Sequence, residues 1–155
     1  MSEKYKFNNQ MHCYPGTDVL INKLGITNNR ELFDVERELV SYRLAELNEN
    51  PIKGSFDLKH LQKIHYYLFQ DIYAWAGKIR NYDISKNGTR FCHSDYIIPC
   101  ANDIFNTLKS EQYFINYDYD TKLLKLVQLF ADINLIHPFR EGNGRTQRSE
   151  EHTSE

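Results

Sequence analysis

The sequence predicts an all-α protein, a helical bundle carrying one small β-hairpin. Several stretches repeat apolar residues at the three-to-four spacing of a helix packed on one side. A single short segment instead changes period around Asn87-Gly88, the strongest two-residue hairpin signal. The segment ending at Ile136 is apolar on nearly every side, as expected of a helix in the middle of a bundle.

Composition fits one domain: 155 residues, 41% hydrophobic and 14% aromatic, are enough to bury a core. The formal net charge of −2 carries no basic excess, which argues against a broad nucleic-acid surface. Cys13, Cys92 and Cys100 are odd in number and lack CxxC spacing, so neither a disulfide framework nor a zinc site is expected. The N-terminus holds no long apolar run, so no signal peptide or membrane span is expected. The expected location is the cytoplasm, or export as an effector by a route that needs no such signal.

Residues 1–28 read as an N-terminal arm. The first sixteen are polar and aromatic and end in the turn signal Tyr14-Pro15-Gly16, which predicts an extended segment on the surface. Residues 17–24 suggest a short helical piece stopped by Gly25, with Val19, Leu20, Ile21 and Leu24 serving packing. A helix over 29–48 follows from Leu32, Val35, Leu39, Tyr42 and Leu47, closed by Asn50-Pro51. A second, capped by Asp57, carries Leu58, Leu61, Ile64, His65, Leu68, Phe69 and Ile72 on one stripe. It is expected to run to Trp75-Ala76-Gly77, with Gly77 as its stop. His60 and His65 lie five apart, a poor helical metal pair, and are assigned to structure.

Residues 82–85 and 89–92 are the hairpin strands, too short to stand without helices to lean on. The hairpin is either a surface loop or an edge that pairs with an extended partner segment. After Pro99 a helix over 102–111 carries Ile104, Phe105 and Leu108, and residues 113–119 form an aromatic, Asp-rich connection. Asp120 or Thr121 then caps a helix containing Leu123, Leu124, Leu126, Val127, Leu129, Phe130, Ile133 and Ile136, expected to be the most buried element and to end at Pro138.

That helix delivers His137-Pro138-Phe139-Arg140-Glu141-Gly142-Asn143-Gly144-Arg145-Thr146-Gln147-Arg148. Gly142 and Gly144 can adopt backbone angles closed to other residues, so that their amides, with that of Asn143, turn inward as an anion nest. From Arg145 onward the residues favour helix, which sets the nest at a helix N-terminus where N–H groups and the dipole favour negative charge. Arg145 and Arg148, three apart, share one helix face and can both fork onto phosphate oxygens. Glu141 is out of place at an anion site unless a cation comes too, and Mg2+ held by one carboxylate and phosphate oxygens is such a cation. A neutral His137 could take a proton from an incoming hydroxyl.

Residues 137–148 match, position for position, the HPFx(D/E)GNGRxxR signature of the Fic domain family, which this chain resembles. The best-known members transfer AMP from ATP to a protein hydroxyl. A second run, Phe69-Gln70-Asp71-Ile72-Tyr73-Ala74-Trp75-Ala76-Gly77-Lys78-Ile79-Arg80 continuing into Ile84-Ser85-Lys86-Asn87-Gly88-Thr89-Arg90-Phe91, resembles the family's helix and flap. The resemblance implies a Fic-type bundle over 29–147 with Mg2+ and ATP at the motif. It puts the β and γ phosphates in the nest of Gly142, Asn143 and Gly144, Arg145 on the phosphates, Arg148 toward the γ phosphate and Glu141 on the metal. It assigns the Asn143 side chain to the α phosphate and Phe139 to the core. His137 would be the general base toward a target Tyr, Ser or Thr hydroxyl, and Lys86, Asn87, Gly88, Thr89, Arg90 and Phe91 the flap that aligns the target by strand addition.

The alternatives are a Doc-like transfer of the γ phosphate, transfer of another phosphoryl-linked group, or an inactive binding domain. Retention of Gly142-Asn143-Gly144-Arg145 favours AMP, because the kinase-like relatives depart from that pattern. Many family members are held off by a Ser/Thr-x-x-x-Glu-Gly/Asn helix. Thr27 to Glu31 has the spacing but is followed by Leu32, so the inhibitory glutamate is expected from a separate small antitoxin, as in toxin–antitoxin pairs, or from the missing C-terminus; the N-terminal arm resembles that of members with a separate antitoxin.

Residues 148–155 match the translation of a common sequencing adapter. They are expected to be non-native, leaving the Fic domain incomplete at its C-terminus with part of its core exposed.

Overall fold

The computed structural model describes residues 10–152, with side chains through Arg148. Residues 1–9 of the arm and residues 153–155 of the expected tail lie outside the described residues. The fold is the expected all-α bundle with a hairpin. Its helices are α1 (Asn29–Glu49), α2 (Leu58–Phe69), α3 (Ile97–Ser110), α4 (Tyr119–Ile136) and α5 (Asn143–His152), and its strands are β1 (Ser85–Lys86) and β2 (Thr89–Arg90).

The centre of the bundle is α2 rather than α4. Leu58, His60, Leu61, Ile64, His65, Leu68 and Phe69 are all buried, a set too wide for one side of a helix. One side of α2 packs Ile64 and Leu68 with Leu32, Val40 and Leu47 of α1. The other packs Leu58 and Leu61 with Ile97, Ala101 and Phe105 of α3 and Ile133 and Ile136 of α4. By contrast α4 buries only Ile133 and Ile136, while Leu124 is 72% and Val127 60% exposed. Apolar periodicity reports which side chains favour burial; α4 has neighbours on one side, so its other apolar residues face outward.

Several boundaries differ from the sequence-based expectation for identifiable reasons. Residues 17–24 are not helical: Tyr14 N–H donates to the carbonyl of Val19, Ile21 N–H to that of His12, and Cys13 bridges Leu20. Val19 and Leu20 do pack in the core, whereas Ile21 and Leu24 are exposed. Tyr42 is also exposed, because the inward face of α1 is Leu32, Glu36, Val40 and Leu47. Asp57 caps α2 as expected, accepting from His60 N–H, but the helix stops at Phe69. The following turns end at Gly77, which has a positive φ of 75° and is not a helix stop.

Pro99 sits inside the first turn of α3, where its missing N–H would have no partner anyway, so the helix starts at Ile97. Asp118, not Asp120 or Thr121, caps α4 by accepting from Thr121 N–H at 3.0 Å. In the hairpin, Ser85 pairs with Arg90 and Lys86 with Thr89, and Asn87 and Gly88 both take positive φ, as a tight hairpin turn requires. The strands are shorter than expected, since Tyr82 and Ile84 turn into the core.

Candidate active site

The loop between α4 and α5 rests on α2. At the end of α4, His137 takes a left-handed conformation, φ 48° and ψ 64°, with its N–H still bonded to the Ile133 carbonyl. Pro138 disfavours helix at that residue, and such strained positions concentrate at functional sites. The His137 ring stacks on Phe91 just beyond β2, centroids 3.8 Å apart and planes 11° apart. Its Nδ1 lies 3.1 Å from the Asn134 carbonyl, which can only accept. Nδ1 therefore carries the proton, and the Nε2 lone pair is left for an incoming donor. Burial lowers the pKa of His137 below its ordinary value, so the ring is neutral at pH 7.

Two residues to which the sequence pattern assigns no site role hold this loop. His65 of α2 accepts the Gly77 N–H at Nδ1, 2.8 Å, so its Nε2 carries the proton and donates to the Glu141 carbonyl at 2.9 Å. The ring stacks on Phe139 at 3.9 Å, and burial pushes its pKa down to about 4. Arg80, only 4% exposed, donates to the carbonyls of His137, Ile136, Tyr82 and Cys92. It thus ties the exit of α4 to both ends of the hairpin. The assignment of His65 to structure holds, and what it supports is the motif loop; a histidine inside an apolar stripe is the signal that could have shown this.

Gly142 has φ 78°, and a Cβ there would fall 2.2 Å from Cζ of Phe69, so glycine is required twice over. Gly144 is different. It lies in the first turn of α5 with helical geometry, and the Gly142 N–H donates to Oε1 of Glu141 at 3.1 Å, so the expected nest narrows to the α5 N-terminus. The Asn143 side chain does not face outward as expected for a phosphate contact. Its Oδ1 accepts the Phe139 N–H and its Nδ2 donates to the Phe139 carbonyl, both at 2.8 Å, so it closes the loop on itself. Thr146 adds a second brace, donating through Oγ1 to the Gly142 carbonyl at 2.8 Å.

Above the loop lies a cleft of about 820 Å³. Arg30, Arg37, Lys86, Arg140, Arg145 and Arg148 line it against Asp18, Glu36 and Glu141, so a chain of net charge −2 presents here a cleft with twice as many basic as acidic groups. Arg145 and Arg148 share the cleft face of α5, and Lys86 reaches the cleft from β1. Asn87, Gly88, Thr89 and Arg90 lie at the exposed hairpin tip. Among the described residues no group of three or more His, Cys, Asp or Glu could hold a metal ion by itself. A single carboxylate, Glu141, set among cations suits a metal that arrives partly held by an anionic substrate. Arg145 is itself gripped by Glu36 of α1, 2.5 Å away, a partner that lies 109 residues back along the chain and that no local spacing reveals.

The family model described as the Fic/DOC family matches residues 55–149. This chain belongs to the Fic/DOC family. Protein adenylyltransferase VbhT of Bartonella schoenbuchensis is 40% identical over 94% of this chain, which spans 30% of that protein. A probable protein adenylyltransferase Fic of Salmonella typhimurium is 36% identical over 96% of the chain and 73% of its own length. Among solved structures, the N-terminal Fic domain of a VirB-translocated Bartonella effector from Bartonella sp. AR 15-3 superposes with a TM-score of 0.86 at 26% identity. That match covers 98% of this chain and 73% of the other. In this Fic chain, no helix among the described residues is long and apolar enough to cross a membrane.

Proposed function

We propose that this Fic chain transfers AMP from ATP to a Tyr, Ser or Thr hydroxyl of a target protein. The observation that carries the reading is His137: a neutral imidazole with its Nδ1 proton fixed on Asn134 and its Nε2 lone pair available, whose charged neighbours Glu141 and Lys86 line an electropositive cleft bordered by the first turns of α5. The names of the curated relatives, protein adenylyltransferases, support the same chemistry.

In this reading Nε2 of His137 accepts the proton of the target hydroxyl as its oxygen bonds to the α phosphorus. The bond from that phosphorus to the bridging oxygen breaks, and pyrophosphate leaves. Arg145, Arg148 and the N-terminal amides of α5 hold the phosphates, and Lys86 adds a positive charge from the hairpin. Asn143 serves through its backbone, because its side chain is spent on Phe139. Glu141 would hold Mg2+, which when bound neutralises phosphate charge. Phe91 keeps the His137 ring in place, and the hairpin beyond it is the surface on which an extended target segment would pair. Arg148, exposed at the rim, is where a glutamate from a separate antitoxin would act.

The test is incubation with Mg2+ and ATP labelled at either the α or the γ phosphate. Protein label from the α position alone is expected. Label from the γ position alone would move the chain to the kinase-like branch of the family.

A further inference from the structure

Glu36 is a carboxylate in the middle of the apolar stripe of α1, one turn from Leu32 and one turn from Val40, and only 8% exposed. A buried charge is costly unless partnered, and here the partners come from two other parts of the chain. The Tyr73 hydroxyl, in the turns after α2, donates to Oε2, while Arg145 of α5 reaches Oε1 at 2.5 Å. Tyr73 is itself buried, and burial together with the neighbouring carboxylate pushes its pKa above the ordinary tyrosine value, so it stays protonated and donates. Arg145 is further fixed by lying 4.8 Å from the Phe69 ring centroid, yet is 26% exposed and borders the cleft.

An ion pair of this kind is a poor device for stability alone. A leucine at position 36 would continue the stripe without a desolvation penalty, and buried pairs exchanged for packed apolar groups are often neutral or better. What the carboxylate supplies is geometry. A guanidinium held on one side by a carboxylate and on another by an aromatic ring keeps one orientation, so phosphate binding does not have to order it.

We propose that Glu36, oriented by Tyr73, is a positioning residue that presets the Arg145 guanidinium for the phosphates of the nucleotide. This rests on the reading that the cleft binds ATP. The test is calorimetric ATP binding in the presence of Mg2+, beside α-phosphate transfer kinetics, for the full chain and for Glu36→Gln, Tyr73→Phe, Arg145→Gln and the Glu36→Gln/Arg145→Gln double variant. Glu36→Gln is expected to weaken ATP binding and raise KM by about tenfold, the scale of one charge-assisted hydrogen bond, with a smaller change in kcat. Tyr73→Phe should do the same to a lesser degree. The double variant should bind no more weakly than Arg145→Gln alone, which loss of general packing would not produce.

Binding unchanged within twofold in Glu36→Gln, binding that becomes tighter, or a full further loss in the double variant would overturn the proposal. If Glu36→Gln does not fold, Tyr73→Phe alone and combined with Arg145→Gln discriminates between the same two outcomes. ATP binding without AMP transfer would remove the proposed activity and leave the positioning role to be judged on affinity. No ATP binding by the unaltered chain would overturn both.

Discussion

The Nε–H of Arg80 donates to the carbonyl oxygen of His137 across 2.7 Å, joining the base of the hairpin to the residue proposed as the general base. The same guanidinium reaches Ile136, Tyr82 and Cys92, and the Arg80 N–H bonds the Pro138 carbonyl. A cation at the C-terminal end of α4 also complements the helix dipole.

Arg80→Ala leaves four carbonyls without this donor, two of them in fully buried bonds. The expected cost is about 3 kcal/mol or more, a fall in Tm of roughly 6–12 °C for a chain of this size. Arg80→Lys should recover only a small part, since one ammonium cannot fork to four acceptors. A thermal melt followed by circular dichroism checks both.

Gly142 and Gly144 should respond in opposite ways to alanine. At Gly142 the positive φ and the Phe69 ring combine, and Gly142→Ala is expected to destabilise by about 2–4 kcal/mol. At Gly144 a Cβ meets only the mobile end of Arg148, 3.3 Å away, in a helical position where alanine is favoured by up to about 1 kcal/mol. Denaturant unfolding of the two variants would separate the requirement for glycine at each position.

The extent to which the sequence disclosed the site follows from how local each signal is. His137, Glu141, Arg145 and Arg148 sit in one short run with a recognisable spacing, and all but His137 line the cleft directly. Glu36, His65 and Arg80 act from 57 to 109 residues away along the chain, and each depends on a tertiary contact that no spacing rule contains. Glu36 and His65 leave a trace, a polar residue on an apolar stripe, which is also the mark of an ordinary buried pair. The burial of α4 differs from expectation for a related reason: hydrophobicity is a property of the helix, while burial depends on how many neighbours surround it.

The pH dependence of stability should carry the signature of His65. Its pKa is about 4 in the folded chain against about 6.5 unfolded, so between those values the unfolded state binds more protons. Stability is fully present above pH 6.5 and falls as the pH drops to 4, by on the order of 3 kcal/mol from this residue. His137 and His12 are also lowered by burial and act in the same direction. Urea unfolding across this range, with His65→Gln showing a shallower slope and lower stability at pH 7, checks the assignment.

Phe91 should govern the acid limb of the rate. Removing its ring exposes His137 to water and lets its pKa rise toward 6.5, so Phe91→Ala is expected to shift loss of activity to higher pH as well as lower the maximum. A pH–rate profile of kcat for the two proteins reads the shift directly.

Proton uptake by His137 during AMP transfer is tested most directly by the rate of α-phosphate label incorporation into target protein. His137→Ala is compared with the unaltered chain at equal occupancy by ATP, with both shown to be folded. The predicted result is a loss of about 10²–10⁴-fold with ATP affinity little changed. A rate retained within a few fold would contradict the role of His137 and assign the proton to another group.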